Sequence, residues 1–222
     1  MKKTWLLTAT AITFFAASSA VLAASPLIYS PNQEIFGSKM NEWSAEWWQY
    51  ILSIPTTVNP LVDPTKNCMV AQHGPVWFLV GAANATCSIP QNTALFFPIL
   101  NLVDVNTTTQ SVNQLRTEMA GCIDHAFNLS LRVDGQSVDI DTRQRVRSVP
   151  FAVTLPADNL FGLPPVIYSP AVDDGYYVML KPLAVGPHTI TFTGNSPGCP
   201  PFQGPFSINV TYNLNVVTVS LK

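Results

Sequence analysis

The most regular stretch of the chain lies near its end. Phe206, Ile208, Val210, Tyr212, Leu214 and Val216 alternate with Ser207, Asn209, Thr211, Asn213 and Asn215, which predicts an antiparallel strand with one face buried. HTITFTG, 188–194, alternates in the same way and sets His188 in phase with Ile190 and Phe192, so His188 reads as a hydrogen-bonded core histidine. FNLSLRVDGQSVDI predicts a hairpin turning at Asp134-Gly135. RVRSVPFAVTL and GYYVMLKPL predict further strands. Two runs are apolar throughout, GPVWFLVG at 74–81 and ALFFPILN at 94–101, as strands covered on both faces are. Pro98 has no N–H to donate and places the second run at an edge or a bulge.

Two segments change period. In SKMNEWSAEWWQYILS, 38–53, Trp43, Trp47, Tyr50, Ile51 and Ile54 recur at three and four, predicting a helix capped by Ser38 and stopped by Pro55. Residues 109–126 carry Val112, Leu115, Met119, Cys122 and Ile123 on one stripe and predict a second helix. Residues 56–75 read as a loop. Short strands without a βαβ rhythm predict a mainly β fold, an antiparallel β-sandwich (jelly-roll or Ig-like) with two accessory helices toward its N-terminal side. Three tryptophans on one helix would bury about 500 Å², worth about 12 kcal/mol gross. Trp43 and Trp47 share a face, whereas Trp48 projects about 100° further round. The expectation is therefore two in the core, with Trp48 lining a groove or meeting a second chain.

The opening MKKTWLLTATAITFFAASSAVLAASPL has two lysines, an apolar run and small residues before Ala23. That is the pattern of a bacterial secretory signal peptide, residues 1–23, cut after Ala23; an uncleaved anchor would need about 20 uninterrupted apolar residues. Residues 24–222 then form a single β-sandwich domain, secreted or periplasmic. Cleavage removes two of the 11 basic residues and none of the 13 acids, leaving a formal charge of −4. Mild acidity without a cationic run argues against nucleic acid as a partner. Arg143, Arg145 and Arg147 alternate and would share one strand face, as a solvated edge or an anion site. Charged residues make up only 11% of the chain and hydrophobic ones 47%, which suits an extracellular β-protein and disfavours disorder. Four cysteines, none in CxxC, imply two disulfides in an oxidising compartment. Of three connectivities, Cys68–Cys87 and Cys122–Cys199 are expected, the first pair flanking one apparent strand. A zinc site is the alternative, although the spacing fits no ligand pattern.

WxxxWWxY at 43–50, GPVWFLVG at 74–81, CxIPxxxALFFPILN at 87–101, TLPADNLFG at 154–162 and DGYYVMLKPLxxGxHTITFTG at 174–194 occur in this order. Taken together the set resembles a group of secreted bacterial proteins of unknown function, over about residues 40–215. The resemblance implies export but no reaction or ligand. In similar sequences a serine commonly stands where His73 does, which counts against His73 as a catalytic residue.

Candidate chemistry is sparse. No GxSxG or HExxH motif occurs, so neither a serine hydrolase elbow nor a zincin helix is supported. Glu42 and Glu46 stand at i, i+4, a spacing that brings carboxyls to the separation of a retaining glycosidase pair and also describes an ordinary solvated face. Trp43, Trp47, Trp48 and Tyr50 are the ligand-binding candidates. Asp124-His125 are neighbours on a helix and face apart. Asp173-Asp174-Gly175 and NPLVDPTKN, 59–67, offer oxygens to Ca²⁺, but first of all read as turns; no metal or cofactor is assigned. Two functions remain: a noncatalytic secreted protein binding an extracellular carbohydrate or protein, and a glycan or ester hydrolase using Glu42 and Glu46.

Overall fold

The computed structural model describes residues 27–218 apart from 64, 66, 82–84 and 202. The expected signal segment and its cleavage point lie outside the described residues. The chain runs α1 (Met40–Ser53), β1 (Val76–Phe78), β2 (Ala85–Pro90), β3 (Ala94–Val105), α2 (Val112–Asp124), β4 (Phe127–Val133), β5 (Gln136–Val138), β6 (Arg145–Arg147), β7 (Phe151–Thr154), β8 (Ile167–Leu180), β9 (Gly186–Ser196) and β10 (Phe206–Val217). The fold is mainly β, as the alternation predicts. Sheet I has the order β1-β3-β8-β6, with β7 also paired to β8; sheet II has the order β2-β10-β9-β4-β5.

Two sheets and two helices are consistent with the expected β-sandwich, although each sheet is mixed rather than purely antiparallel. β1 runs parallel to β3, and β2 parallel to β10. The chain leaves sheet I after β1, contributes β2 to sheet II and returns as β3, so β1 and β3 are not joined by a hairpin and point the same way. The two helices lie on different faces of sheet I. α1 packs on the outer face of sheet I with Phe78, Phe96, Phe151 and Tyr177. α2 lies on the opposite face, where Leu115 and Met119 meet Val172 of β8. Sheet II covers the rest of that face through Phe97, Ile99 and Val178 against Phe192, Val210 and Tyr212.

Sheet I is thus a middle layer, and β8 its centre: every residue from Ala171 to Leu180 is buried. The apolar stretch 94–101 extends through β3, which is central rather than an edge. The register against β8 shifts between Pro98 and Leu100, the bulge that a strand proline requires. Asp173-Asp174-Gly175 forms no turn but the middle of β8. Gly175 is needed because a Cβ there would stand 2.5 Å from the Asn101 Cβ and 2.6 Å from the Leu100 carbonyl, so β3 approaches at a distance only glycine allows.

Both expected disulfides form, Cys68–Cys87 and Cys122–Cys199, with Cα separations of 6.0 and 4.8 Å. They commit all four sulfurs and remove the zinc alternative. The first ties the loop after α1 to β2, and the second ties α2 to the β9–β10 connection. Asp134 and Gly135 take φ of 51° and 78°, the positive values of a two-residue hairpin turn between β4 and β5. His188 is only partly buried at the sheet end, bonded to Asp134 Oδ2 at 2.7 Å and the Ala184 carbonyl at 2.8 Å; it is hydrogen-bonded as expected, but not in the core.

The helix boundaries are set by side-chain caps. Ser38 bridges Ile35 instead of capping α1; Lys39 is the N-cap, and its N–H is taken by the Glu42 carboxylate at 2.7 Å. At the other end the buried Asn59 amide donates to the Ile51 and Ile54 carbonyls at 2.7 and 3.0 Å, satisfying acceptors the helix cannot. On α2, Ser111 and Gln114 form a capping box.

Candidate functional site

All three tryptophans of α1 are buried: Trp43, Trp47 and Trp48 are 7%, 1% and 8% exposed. This corrects the placement of Trp48 at a groove or a second chain. A helix lying across a sheet buries a broad arc, and each indole N–H finds an acceptor inside it. Trp43 donates to the Ile35 carbonyl and Trp47 to the Leu79 carbonyl, both at 3.0 Å; Trp48 donates to the Tyr177 hydroxyl at 3.1 Å. The ligand-binding candidates Trp43, Trp47 and Trp48 are therefore packing residues, with at most an edge toward solvent.

Behind them sits a polar network that the sequence did not announce. The Tyr177 hydroxyl accepts from Trp48 and from Asn101 (2.9 Å) and donates to Asp173 Oδ1 (3.1 Å). Asp173 is fully buried, and its Oδ2 has no hydrogen-bond partner among the described residues. Burial pushes its carboxyl up to about 7, with the neighbouring Asp174 adding to the rise and the Ser44, Tyr177 and Ser148 hydroxyls opposing it. Asp174 points to the other side of β8, where Arg145 grips it through Nε and Nη2 at 2.9 and 2.7 Å and Arg147 reaches it at 3.1 Å. Arg143 stands apart in a 3-10 turn and pairs with Asp141. The three arginines therefore do not share one solvated strand face. The oxygens considered for Ca²⁺ have other partners: Asp63 binds the Thr65 backbone and hydroxyl, and Asn59 serves α1. Among the described residues no group of three or more His, Cys, Asp or Glu side chains is placed to hold a metal.

What α1 does offer to solvent is the side carrying Glu46, Gln49 and Ser53. With Tyr50 at its floor, that side forms one wall of a groove of about 550 Å³ whose other walls are His73 and residues 152–154 of β7. A smaller hollow of about 150 Å³ continues past Glu46 and His73 to the edges of Trp43 and Phe78. Burial raises the Glu46 carboxyl, the Glu42 charge raises it further, and His73 lowers it. Tyr50 is itself buried; its hydroxyl donates to the Val70 carbonyl at 2.9 Å and accepts from Gln72 at 3.1 Å. Gln72 also donates to the Phe78 carbonyl and accepts from the Phe78 N–H, at 2.8 and 3.0 Å, pinning the loop that presents His73. No periodicity marks Gln72, which is why sequence reasoning missed it.

Of the predicted carboxyl pair, then, only Glu46 faces the groove; Glu42 is occupied at the helix N-terminus. Ser53 donates to the Tyr50 carbonyl at 2.9 Å, so its proton is directed into the helix and not toward His73. Asp124 pairs with Arg145 at 2.6 Å and forms no dyad with His125. Comparison with protein-family models gives no match, and comparison with curated proteins gives none either. Among the described residues no helix is long and apolar enough to cross a membrane.

Proposed function

We propose that the protein is an exported, noncatalytic binding protein that takes an extracellular carbohydrate in the groove between α1, the loop carrying His73, and β7. One observation carries the reading. The groove combines apolar edges of Tyr50 and Phe78 with hydrogen-bonding groups of Glu46, Gln49, His73 and Thr154, the mixture that suits a sugar ring with one apolar face and a polar rim. Two disulfides fit an oxidising compartment, and the signal-like opening segment supports a secreted or periplasmic location.

The test is a glycan screen on residues 24–222, followed by titration of any hit against variants. Glu46→Gln and Gln49→Ala should each weaken binding about tenfold, because a buried polar contact is worth about 1–3 kcal/mol. Binding unchanged by both variants would remove the groove as the site. A protein hit with no glycan hit would replace the ligand class.

The hydrolase reading keeps one supporting observation, the burial-raised carboxyl of Glu46 beside His73, as a general acid would have. Turnover of a glycan or ester that Glu46→Gln abolishes would establish it over simple binding.

A further inference from the structure

At the opposite end of α1 lies a second cavity, of about 350 Å³, sharing no residue with the first. It runs between the start of the helix and the outer edge of β6, which has no strand partner on that side among the described residues. Every charged side chain on its wall is a cation: Lys39, Arg143, Arg145 and Arg147. Those are four of the 11 lysines and arginines in a chain whose net charge is −2. Asn32 and Asn41 add neutral side chains to the same wall. We infer that this cavity is a second binding site, selective for a compact dianionic oxyanion, a sulfate or phosphate group.

The cations are held for that task. Arg145 is fixed from behind by Asp174, whose side chain is 3% exposed, and by Asp124 at 2.6 Å. Arg147 meets Asp174 only through Nε, and its terminal nitrogens make no hydrogen bond with the described residues; its side chain is 53% exposed. Arg143 is tied to Asp141 alone and is 75% exposed. The Lys39 ammonium has no ion-pair partner among the described residues, since Glu42 takes the Lys39 main-chain N–H and not its Nζ. No acid lines the cavity; Asp124, Asp141 and Asp174 pair with its arginines, and the Asp139 charge also acts on Arg143. Asp174 and Asp124 engage all three nitrogens of Arg145 and leave it a fixed positive charge, while the terminal nitrogens of Arg147 keep open donors, and a fork with open donors binds a tetrahedral oxyanion in bidentate fashion. The Val149 N–H bond to the Asn41 carbonyl, 3.1 Å, locks the segment after β6 against the helix start, so the walls keep their spacing.

The experiment is an amide NMR titration of the mature protein at low ionic strength with inorganic sulfate, inorganic phosphate and a sulfated disaccharide, with chloride as control. Saturable shifts confined to residues 31–41 and 143–149 are expected with the dianions, and none with chloride. Lys39→Gln combined with Arg147→Gln should weaken sulfate about tenfold or more. Arg132→Gln, on sheet II, should leave it unchanged. The double variant gives up the single Arg147 contact with Asp174, but Arg145, left intact, keeps both Asp174 oxygens bonded, and the unfolding midpoint of the variant checks that folding is retained. A disaccharide that binds tighter than free sulfate assigns the site to a glycan-borne group, and equal affinity assigns it to the free anion. Absence of saturable shifts, or equal affinity in the double variant, overturns the inference.

Discussion

Asp173→Asn should abolish part of the protein's pH-dependent stability. In the unfolded chain this carboxyl ionises near 3.8, and in the fold near about 7, because burial opposes its charge. Between those values the folded state holds a proton that the unfolded state has lost. The stability this proton provides is complete below about pH 4, declines as pH rises toward 7, and is gone above it. Each pH unit is worth about 1.4 kcal/mol, and about three separate the two values, so the loss comes to about 4 kcal/mol. That is a large share of the roughly 5–15 kcal/mol that holds a domain folded.

The asparagine mimics the neutral acid. It keeps an oxygen for the Tyr177 hydroxyl and places a donor at the position of Oδ2, which lacks a partner as a carboxylate oxygen. Urea unfolding followed by tryptophan fluorescence, at intervals from about pH 4 to pH 8 with disulfides intact, would read the effect. The two proteins should be equally stable near pH 4, and the variant more stable by up to about 4 kcal/mol at pH 8. A slope below pH 6 should survive in the variant, since burial and Glu118 push Asp104 up to about 6. If wild type and variant fall in parallel between pH 6 and 7, Asp173 is already ionised in the fold and the reasoning fails.

Trp48→Phe should cost about 1–3 kcal/mol in unfolding free energy through loss of the donor to Tyr177, and leave glycan affinity untouched, whereas a ligand-contacting indole would show the reverse. Replacing both cysteines of a bridge by serine should cost more for Cys122–Cys199, spanning 77 residues, than for Cys68–Cys87, spanning 19: about 4.5 against 3.3 kcal/mol from loop closure, measured by denaturation. At the hairpin, partial burial lowers the His188 imidazole, but the Asp134 carboxylate and the Ala184 carbonyl raise it overall. Asp134→Asn should bring its titration down in an NMR pH series. The stabilisation from this pair is full below the ordinary histidine range and is lost as pH rises through the raised value.

How far the sequence could be read depended on whether solvent touched the element. β10 was legible residue by residue because sheet II has one wet face, so Thr and Asn mark every second position. β8 lies between layers on both faces, so Ala171, Val172, Tyr176 and Tyr177 show no period. Its Asp-Asp-Gly then takes on the look of a turn. The glycine is there for the approach of β3, and one acid is a buried hydrogen-bond acceptor. The tryptophan helix was recognisable from its spacing, yet a helical wheel places Trp48 outside because it knows nothing of the breadth of the sheet below. Glu46 was visible as half of a pair. His73 and Gln72 enter the groove only through the fold of a loop, and Lys39 joins Arg147 across about 100 residues, a proximity that no local pattern encodes.

The pairing of β2 with β10 brings residues 85–90 against 212–217, so sheet II cannot close until the chain has emerged through residue 217. A topology this non-local folds slowly. During that interval β2 presents an unclaimed hydrogen-bonding edge that any other nascent chain can join. Shortening the C-terminus by one strand would therefore do more than trim a rim: it would leave β2 permanently unmatched and convert a late assembly step into a route to aggregates.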